Sequence, residues 1–318
     1  GETTFQQHVF LSLASFSLGC LTMSAGKNTS QHMTNAQSFM EQARAAEQKF
    51  GWFGMADGAK YEEAGDFYAK AGNSYKMAKS MDDAGDAYMK SHQAYLTAKN
   101  SHEATHQCQN AAKAYRKTSP QKAVKALEKC ITAISDQGRF GVAAKYQQEV
   151  AEIYESEGNT QLAIENYQVA ADLFEGESQT SSCNKCMLKI AELSSGAGDY
   201  TQAVKMYEKV ADNSLDNNLL VWGCKDHFMK ATLCTLATGD FDQAKMKLEQ
   251  YCSDDNKFAS SRECTFVVGL VKACIDGDVK SYTDSVVKYD SVSPLDAWKT
   301  SILLKIKNIL KERADGIL

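Results

Sequence analysis

The sequence predicts an all-α fold of stacked helix hairpins, and three observations carry that expectation. Only two prolines, Pro120 and Pro294, occur in 318 residues, each where a helix can start or a turn can form. Ala, Lys, Glu, Gln and Met are abundant, whereas Val and Ile never gather into alternating runs. A small residue also returns about every twenty positions, at Ala64, Ala84, Ala104, Ala123, Ala143, Ala163, Cys183 and Ala203.

Each repeat reads as one helix of about four turns. A bulky residue follows the small one by three or four positions, so that Ala163, Ile164, Tyr167 and Ala171 share a face. Breaks fall at "DQGRF", "SEGNT", "EGESQ", "GAGDY" and "TGDF", where glycine can end one helix and Asn, Asp or Ser can cap the next. Two helices then make a hairpin of about 40 residues that buries its face only against its neighbours, the logic of a tetratricopeptide-like (TPR-like) solenoid. The usual repeat of that kind is 34 residues, and these helices are longer. The tyrosines Tyr68, Tyr75, Tyr88, Tyr95, Tyr167 and Tyr207 are expected to pack between helices.

Beyond about Asp212 the period loosens. "LLVWGCKDHFMKATLCTLA", "SRECTFVVGLVKACI" and "LDAWKTSILLKIKNILK" are apolar enough to be enclosed on several sides, which predicts a helical bundle capping the array. The expected organisation is therefore 1–33 as a leader or added extension without fixed structure, 34–212 as the hairpin array and 213–318 as the bundle. Within the leader, "HVFLSLASFSLGCLTM" is too short and broken to span a bilayer, and its start lacks the basic residues of a signal peptide.

A net charge of −5, with 35 basic residues scattered among 40 acidic ones, argues against a nucleic-acid protein. The ten cysteines lie at helical spacings among apolar neighbours and read as reduced core residues. The lone "CNKC" of Cys183 and Cys186 has no second pair to complete a zinc site, so neither a metal nor a cofactor is expected. No phosphate loop, nucleophile elbow or paired metal-binding histidine motif is present, and the expectation is that the chain is not an enzyme. His92, His102, His106 and His227 read as helix-surface residues.

Two features remain that point to partners. Basic residues recur near helix ends, at Lys76, Lys79, Arg116, Lys117, Arg139, Lys145, Lys185, Lys189 and Lys225, and they would suit an acidic partner if they form a stripe. Solvated surface lysines explain them equally well at this level. The stretch "KFGWFGMADGAK" sets Phe50, Trp52, Phe53 and Met55 among glycines, where polar turn residues are usual.

From about Ala43 to Lys307 the chain resembles the alpha-type soluble NSF attachment proteins, the alpha-SNAPs. The resemblance is carried by "GRFGVAAK" (138–145), "AEIYE" (151–155), "NKCMLKIAE" (184–192), "SRECTF" (261–266) and "SYTDSVVKYDSVSPLDAWKTSILLKIK" (281–307). It implies a twisted right-handed sheet of antiparallel helix hairpins capped by a globular helical bundle. It also implies an adaptor that binds assembled SNARE bundles and recruits and stimulates the hexameric NSF ATPase for their disassembly in vesicle-mediated transport. By motif match the implied SNARE-facing residues are Arg116, Lys117, Arg139, Lys145, Lys185 and Lys225, and with Lys76, Lys79, Lys189 and Trp222 they make up the expected SNARE-binding set. Phe50, Trp52, Phe53 and Met55 would form a membrane loop, and Asp240, Asp276, Asp278 and Leu318 would meet the ATPase. The tail "KERADGIL" is less acidic than usual in the family. The implied state is a monomer in solution, with several copies on each SNARE complex, in the cytoplasm and peripheral to membranes. A TPR co-chaperone or scaffold binding a peptide is the alternative, and the twenty-residue helix step argues against it.

Overall fold

The computed structural model describes residues 28–49, 58–215 and 220–316, and these form helices joined by short turns, without a strand among them. Helix α1 covers 28–47, so it includes the last residues of the segment expected to be a leader. There follow α2 (Gly58–Met77), α3 (Met81–Thr97), α4 (Ser101–Tyr115), α5 (Pro120–Ser135), α6 (Phe140–Ser156), α7 (Thr160–Gly176), α8 (Thr180–Gly196) and α9 (Tyr200–Leu215). A 3-10 turn at Val221–Gly223 leads into α10 (Cys224–Ala237), α11 (Phe241–Asp254), α12 (Asn256–Ala259), α13 (Arg262–Asp276), α14 (Val279–Asp290) and α15 (Ala297–Ala314).

The helices start where the sequence supplies a cap. Asn100, Asn159, Asp240, Ser261, Asp278 and Asp296 each accept a backbone N–H from the first turn of the helix they precede. Pro120 opens α5, where its missing N–H costs nothing. Every small residue of the repeat is buried, from Ala64 and Ala84 through Cys183 to Ala203.

The turns repeat as regularly as the helices. Gly138, Gly158 and Gly198 take left-handed φ values of 72°, 75° and 88°. The same conformation occurs without glycine at Lys79 (61°), Lys99 (61°) and Ser178 (57°). In each case the next residue's N–H closes back on the helix, as Ser80 does to the Tyr75 carbonyl at 3.0 Å and Asn159 to that of Tyr154 at 2.9 Å.

The chain divides into two compact units between Ile153 and Tyr154, inside α6. In the first, neighbouring helices are held by a tyrosine laid over a glycine. Tyr95 covers Gly65, Tyr88 covers Gly72 and Tyr115 covers Gly85, so close that an added Cβ would lie 3.0, 2.6 and 2.4 Å from the respective rings. Each phenol then donates to the residue after its glycine: Tyr95 to Asp66 (2.5 Å), Tyr88 to Asn73 (2.7 Å) and Tyr115 to Asp86 (2.5 Å). Burial first, and Asp86 second, push the Tyr115 phenol upward, which keeps it a donor. Lys122 completes this contact, 3.0 Å from Asp86 and 5.2 Å above the Tyr115 ring. The pairings Gly65 with Tyr95 and Gly72 with Tyr88 run in opposite chain directions, which makes α2 and α3 antiparallel.

His92 corrects the surface reading. It is 3% exposed, its Nδ1 is bonded to the Ala104 carbonyl at 2.8 Å, and burial lowers its pKa. A contact between α3 and α4 covers it, which no local spacing encodes.

In the second unit one apolar core takes Ala203, Tyr207 and Ala211 of α9 together with Phe228, Leu233, Phe258, Leu270 and Ile306. Helices on both sides of residue 212 share this core. Phe228 stacks on Tyr251 at 4.8 Å and meets Phe258 at 5.4 Å. Tyr207 meets Trp298 edge-on at 6.0 Å, and the Trp298 Nε1–H donates to the Ser195 hydroxyl at 2.9 Å. Cys183 and Cys186 are both buried along α8.

Candidate partner-binding site

Three- and four-residue turns between antiparallel helices place successive turns on alternating edges. In the first unit, Lys76 and Lys79 at the end of α2 and Arg116 and Lys117 at the end of α4 therefore share an edge. Arg139, in the turn between α5 and α6, falls on the opposite edge, and Lys145 lies within α6. The structure thus gathers four of these six residues at one edge and sets the other two apart.

Exposure separates them further. Lys76, Lys79, Lys117, Arg139 and Lys145 are exposed and make no ion pair among the described residues. Arg116 instead reaches α6, donating to Glu152 at 2.7 Å with Glu149 at 4.0 Å. Burial raises the Glu149 carboxyl despite the guanidinium beside it. The Arg116 charge is accordingly already paired within the chain.

The second unit shows the same contrast on α8. Lys185 is exposed and makes no ion pair among the described residues, whereas Lys189 lies 2.9 Å from Glu155, which also accepts the Tyr167 phenol at 2.6 Å. Burial alone would raise Glu155, but the hydrogen bonds from Tyr167 and Lys189 hold it below its ordinary range.

Trp222, on the 3-10 turn, is 70% exposed. The Lys257 ammonium sits 5.3 Å from the Trp222 ring centre, a cation–π contact that keeps a positive charge beside an open aromatic face. The two border a cleft of about 310 Å³ with Lys225, Arg262 and Glu263. Lys225 is 3.7 Å from Glu263, whose Oε2 is buried without a hydrogen bond among the described residues. The exposed Trp is thus rimmed by three cations, with Asp255 and Glu263 lining the same cleft. Lys257 and Arg262 are absent from the sequence-based set. Their only local signals are Asp255 and Ser261 capping α12 and α13, because the meeting of Lys257 with Trp222 is tertiary.

The acidic candidates behave differently from one another. Asp240 caps α11, accepting the Gln243 N–H at 2.9 Å. Asp278 caps α14, accepting from the Ser281 hydroxyl at 2.6 Å and the Lys280 and Ser281 N–H groups; these bonds, Ser281 foremost, lower its pKa. Asp276 ends α13, exposed, on the rim of a cleft of about 480 Å³ walled by Leu248, Val268, Val271 and Ile275. Phe50, Trp52, Phe53, Met55 and Leu318 lie outside the described residues.

Residues 34–311 match the family described as "Soluble NSF attachment protein, SNAP". The alpha-soluble NSF attachment protein of Vitis vinifera is 38% identical over 279 residues, covering 88% of this chain and 96% of that protein. That of Dictyostelium discoideum is 39% identical over 285 residues, covering 89% and 98%. The vesicular-fusion protein SEC17 of Coprinopsis cinerea is 42% identical over 279 residues, covering 87% and 96%. A match spanning the helices that carry every described candidate residue is a match in the whole architecture, and the chain belongs to the soluble NSF attachment protein family.

Proposed function

We propose that this chain is a non-enzymatic adaptor that binds assembled SNARE bundles and brings the NSF ATPase to them for disassembly. The observation that supports it best is a set of exposed cations that make no ion pair among the described residues, Lys76, Lys79, Lys117, Arg139, Lys145 and Lys185, on a chain whose net charge is −5. Such charges attract an acidic bundle at long range without reading its sequence, so one adaptor serves several bundles. The test is binding to a preassembled SNARE bundle followed by ATP-dependent disassembly with NSF. Binding should fall steeply with added salt, and no binding at low salt would reject the reading.

Lys79 offers a more pointed check. A non-glycine residue in the left-handed region is strained by about 1–2 kcal/mol, and Lys79 holds φ at 61°. Lys79→Gly relieves that strain at some cost in unfolded-chain entropy, for a net gain of about 0.5 kcal/mol. If Lys79 serves binding, stability should rise in urea unfolding while affinity for the bundle falls. A variant both more stable and equally tight would remove Lys79 from the surface.

Among the acids, Asp276 is the leading ATPase contact. A carboxylate at a helix C-terminus opposes the macrodipole, so its own helix gains nothing from it, unlike Asp240 and Asp278 in their caps. Leu318 joins it in this assignment by the family resemblance.

At the membrane we assign Phe50, Trp52, Phe53 and Met55 to a foot that enters the bilayer interface, where aromatic rings settle well. Burying them contributes on the order of 5 kcal/mol before ordering costs, too little to hold one molecule but enough to bias an adaptor already on a membrane-embedded bundle. Replacing Phe50, Trp52 and Phe53 with Ser should slow disassembly of liposome-embedded SNAREs and spare soluble bundles. Equal loss on both substrates would make the stretch structural.

A further inference from the structure

Cys252 of α11 and Cys264 of α13 bring their sulfurs to 3.3 Å. A disulfide closes that distance to about 2.05 Å, so roughly an ångström of approach between two helices already in contact separates the dithiol from the bond. Their surroundings differ in a useful way. Cys252 is partly exposed and lines the 480 Å³ cleft beside Leu248 and Val271, whereas every other cysteine among the described residues, Cys264 included, is buried. One thiol of the pair is open to a reagent and the second waits directly behind it.

We propose that Cys252 and Cys264 are a reversible disulfide site, with glutathione disulfide as the oxidant. The Cys252 thiolate attacks one sulfur of glutathione disulfide, the glutathione S–S bond breaks, and the first glutathione leaves carrying the proton Cys252 gave up. Cys264 then loses its proton and attacks the Cys252 sulfur, forming the intramolecular bond and releasing the second glutathione as a thiol. Two protein thiols are oxidised and one glutathione disulfide is reduced to two glutathiones. The order follows from access. Burial, and then the contact with Cys252, raise the Cys264 thiol to about 12, which makes it the resolving partner rather than the first nucleophile. The bond would tie α11 to the first turn of α13, where Cys264 sits three residues after the Ser261 cap. It would fix one end of the cleft wall and remove the one thiol that borders the cleft among the described residues.

Cys108 and Cys130 supply an internal control. Their side chains too lie side by side, but both are fully buried and closed to an oxidant of this size. The experiment incubates the folded full chain with glutathione disulfide, quenches in acid, and reads intact mass and non-reducing peptide maps. The expected product is lighter by two hydrogens, joins the Cys252 and Cys264 peptides, reverts with dithiothreitol, and leaves Cys108 and Cys130 as thiols. A maleimide should label Cys252 before oxidation and not after it. Cys264→Ser should stop the reaction with glutathione retained on Cys252, and Cys252→Ser should leave Cys264 unmodified, each variant being checked by circular dichroism. Glutathione persisting on Cys252 in the unmodified chain, no reaction at Cys252, or a bond from Cys252 to any other cysteine would overturn the proposal.

Discussion

Reversing the charge at Lys145 and Lys185 together is expected to weaken binding to an assembled SNARE bundle about 30-fold, with the unfolding midpoint unchanged. The estimate takes about 1 kcal/mol for each reversal, since both charges stay solvated and screened, and 1.4 kcal/mol is tenfold in affinity. Stability is expected to hold because both side chains are exposed and make no ion pair among the described residues. Arg116→Glu is the contrasting variant. It faces Glu149 and Glu152, so reversal places three carboxylates together and lowers stability as well as affinity. The prediction is thus a pattern: Lys145 and Lys185 move affinity alone, and Arg116 moves both. Bundle binding by the Lys145/Lys185 variant as tight as that of the original chain would remove these residues from the surface, and a matching slope of log affinity against log salt would make the same point independently.

The repeat was legible in the sequence because its cause is local. A small residue every twenty positions, turn glycines at Gly138, Gly158 and Gly198, and caps such as Asn159 each act within a few residues, and all fall where expected. Lys79, Lys99 and Ser178 escaped because side-chain identity does not reveal the left-handed conformation that the twenty-residue spacing imposes on them. The candidate surface was legible as a list of charges and no further. Whether a cation is available depends on carboxylates one hairpin away: Arg116 meets Glu152 and Lys189 meets Glu155, while Lys117 and Lys185 meet none among the described residues. Lys257 was missed for the same reason, because only the fold sets it beside Trp222. The place of α9 in the second unit's core was hidden too, since α9 looks periodic in sequence yet contributes Tyr207 and Ala211 to the core built around Phe228.

The glycines of "AGDFY", "AGNSY" and "AGDAY" carry the largest stability prediction, and their order separates two opposing effects. Gly→Ala in a helix interior gains about 1 kcal/mol of helix propensity. Against it stands the overlap of the new Cβ with a tyrosine ring, at 2.4 Å for Gly85, 2.6 Å for Gly72 and 3.0 Å for Gly65. A packed ring held at its far end by a hydrogen bond, as Tyr115 is by Asp86, cannot swing aside, and such overpacking costs about 3 kcal/mol. Gly85→Ala should therefore destabilise by about 2 kcal/mol in urea unfolding, Gly72→Ala by somewhat less, and Gly65→Ala should be close to neutral. The decisive measurement is a double-mutant cycle. With Tyr115→Ala the obstacle is gone, so adding Gly85→Ala should stabilise by about 1 kcal/mol, a coupling of about 3 kcal/mol between positions thirty residues apart in sequence. If Gly85→Ala is equally harmful in both backgrounds, the ring is not what excludes the methyl group, and the tyrosine-over-glycine contact is a consequence of the hairpin packing rather than its cause.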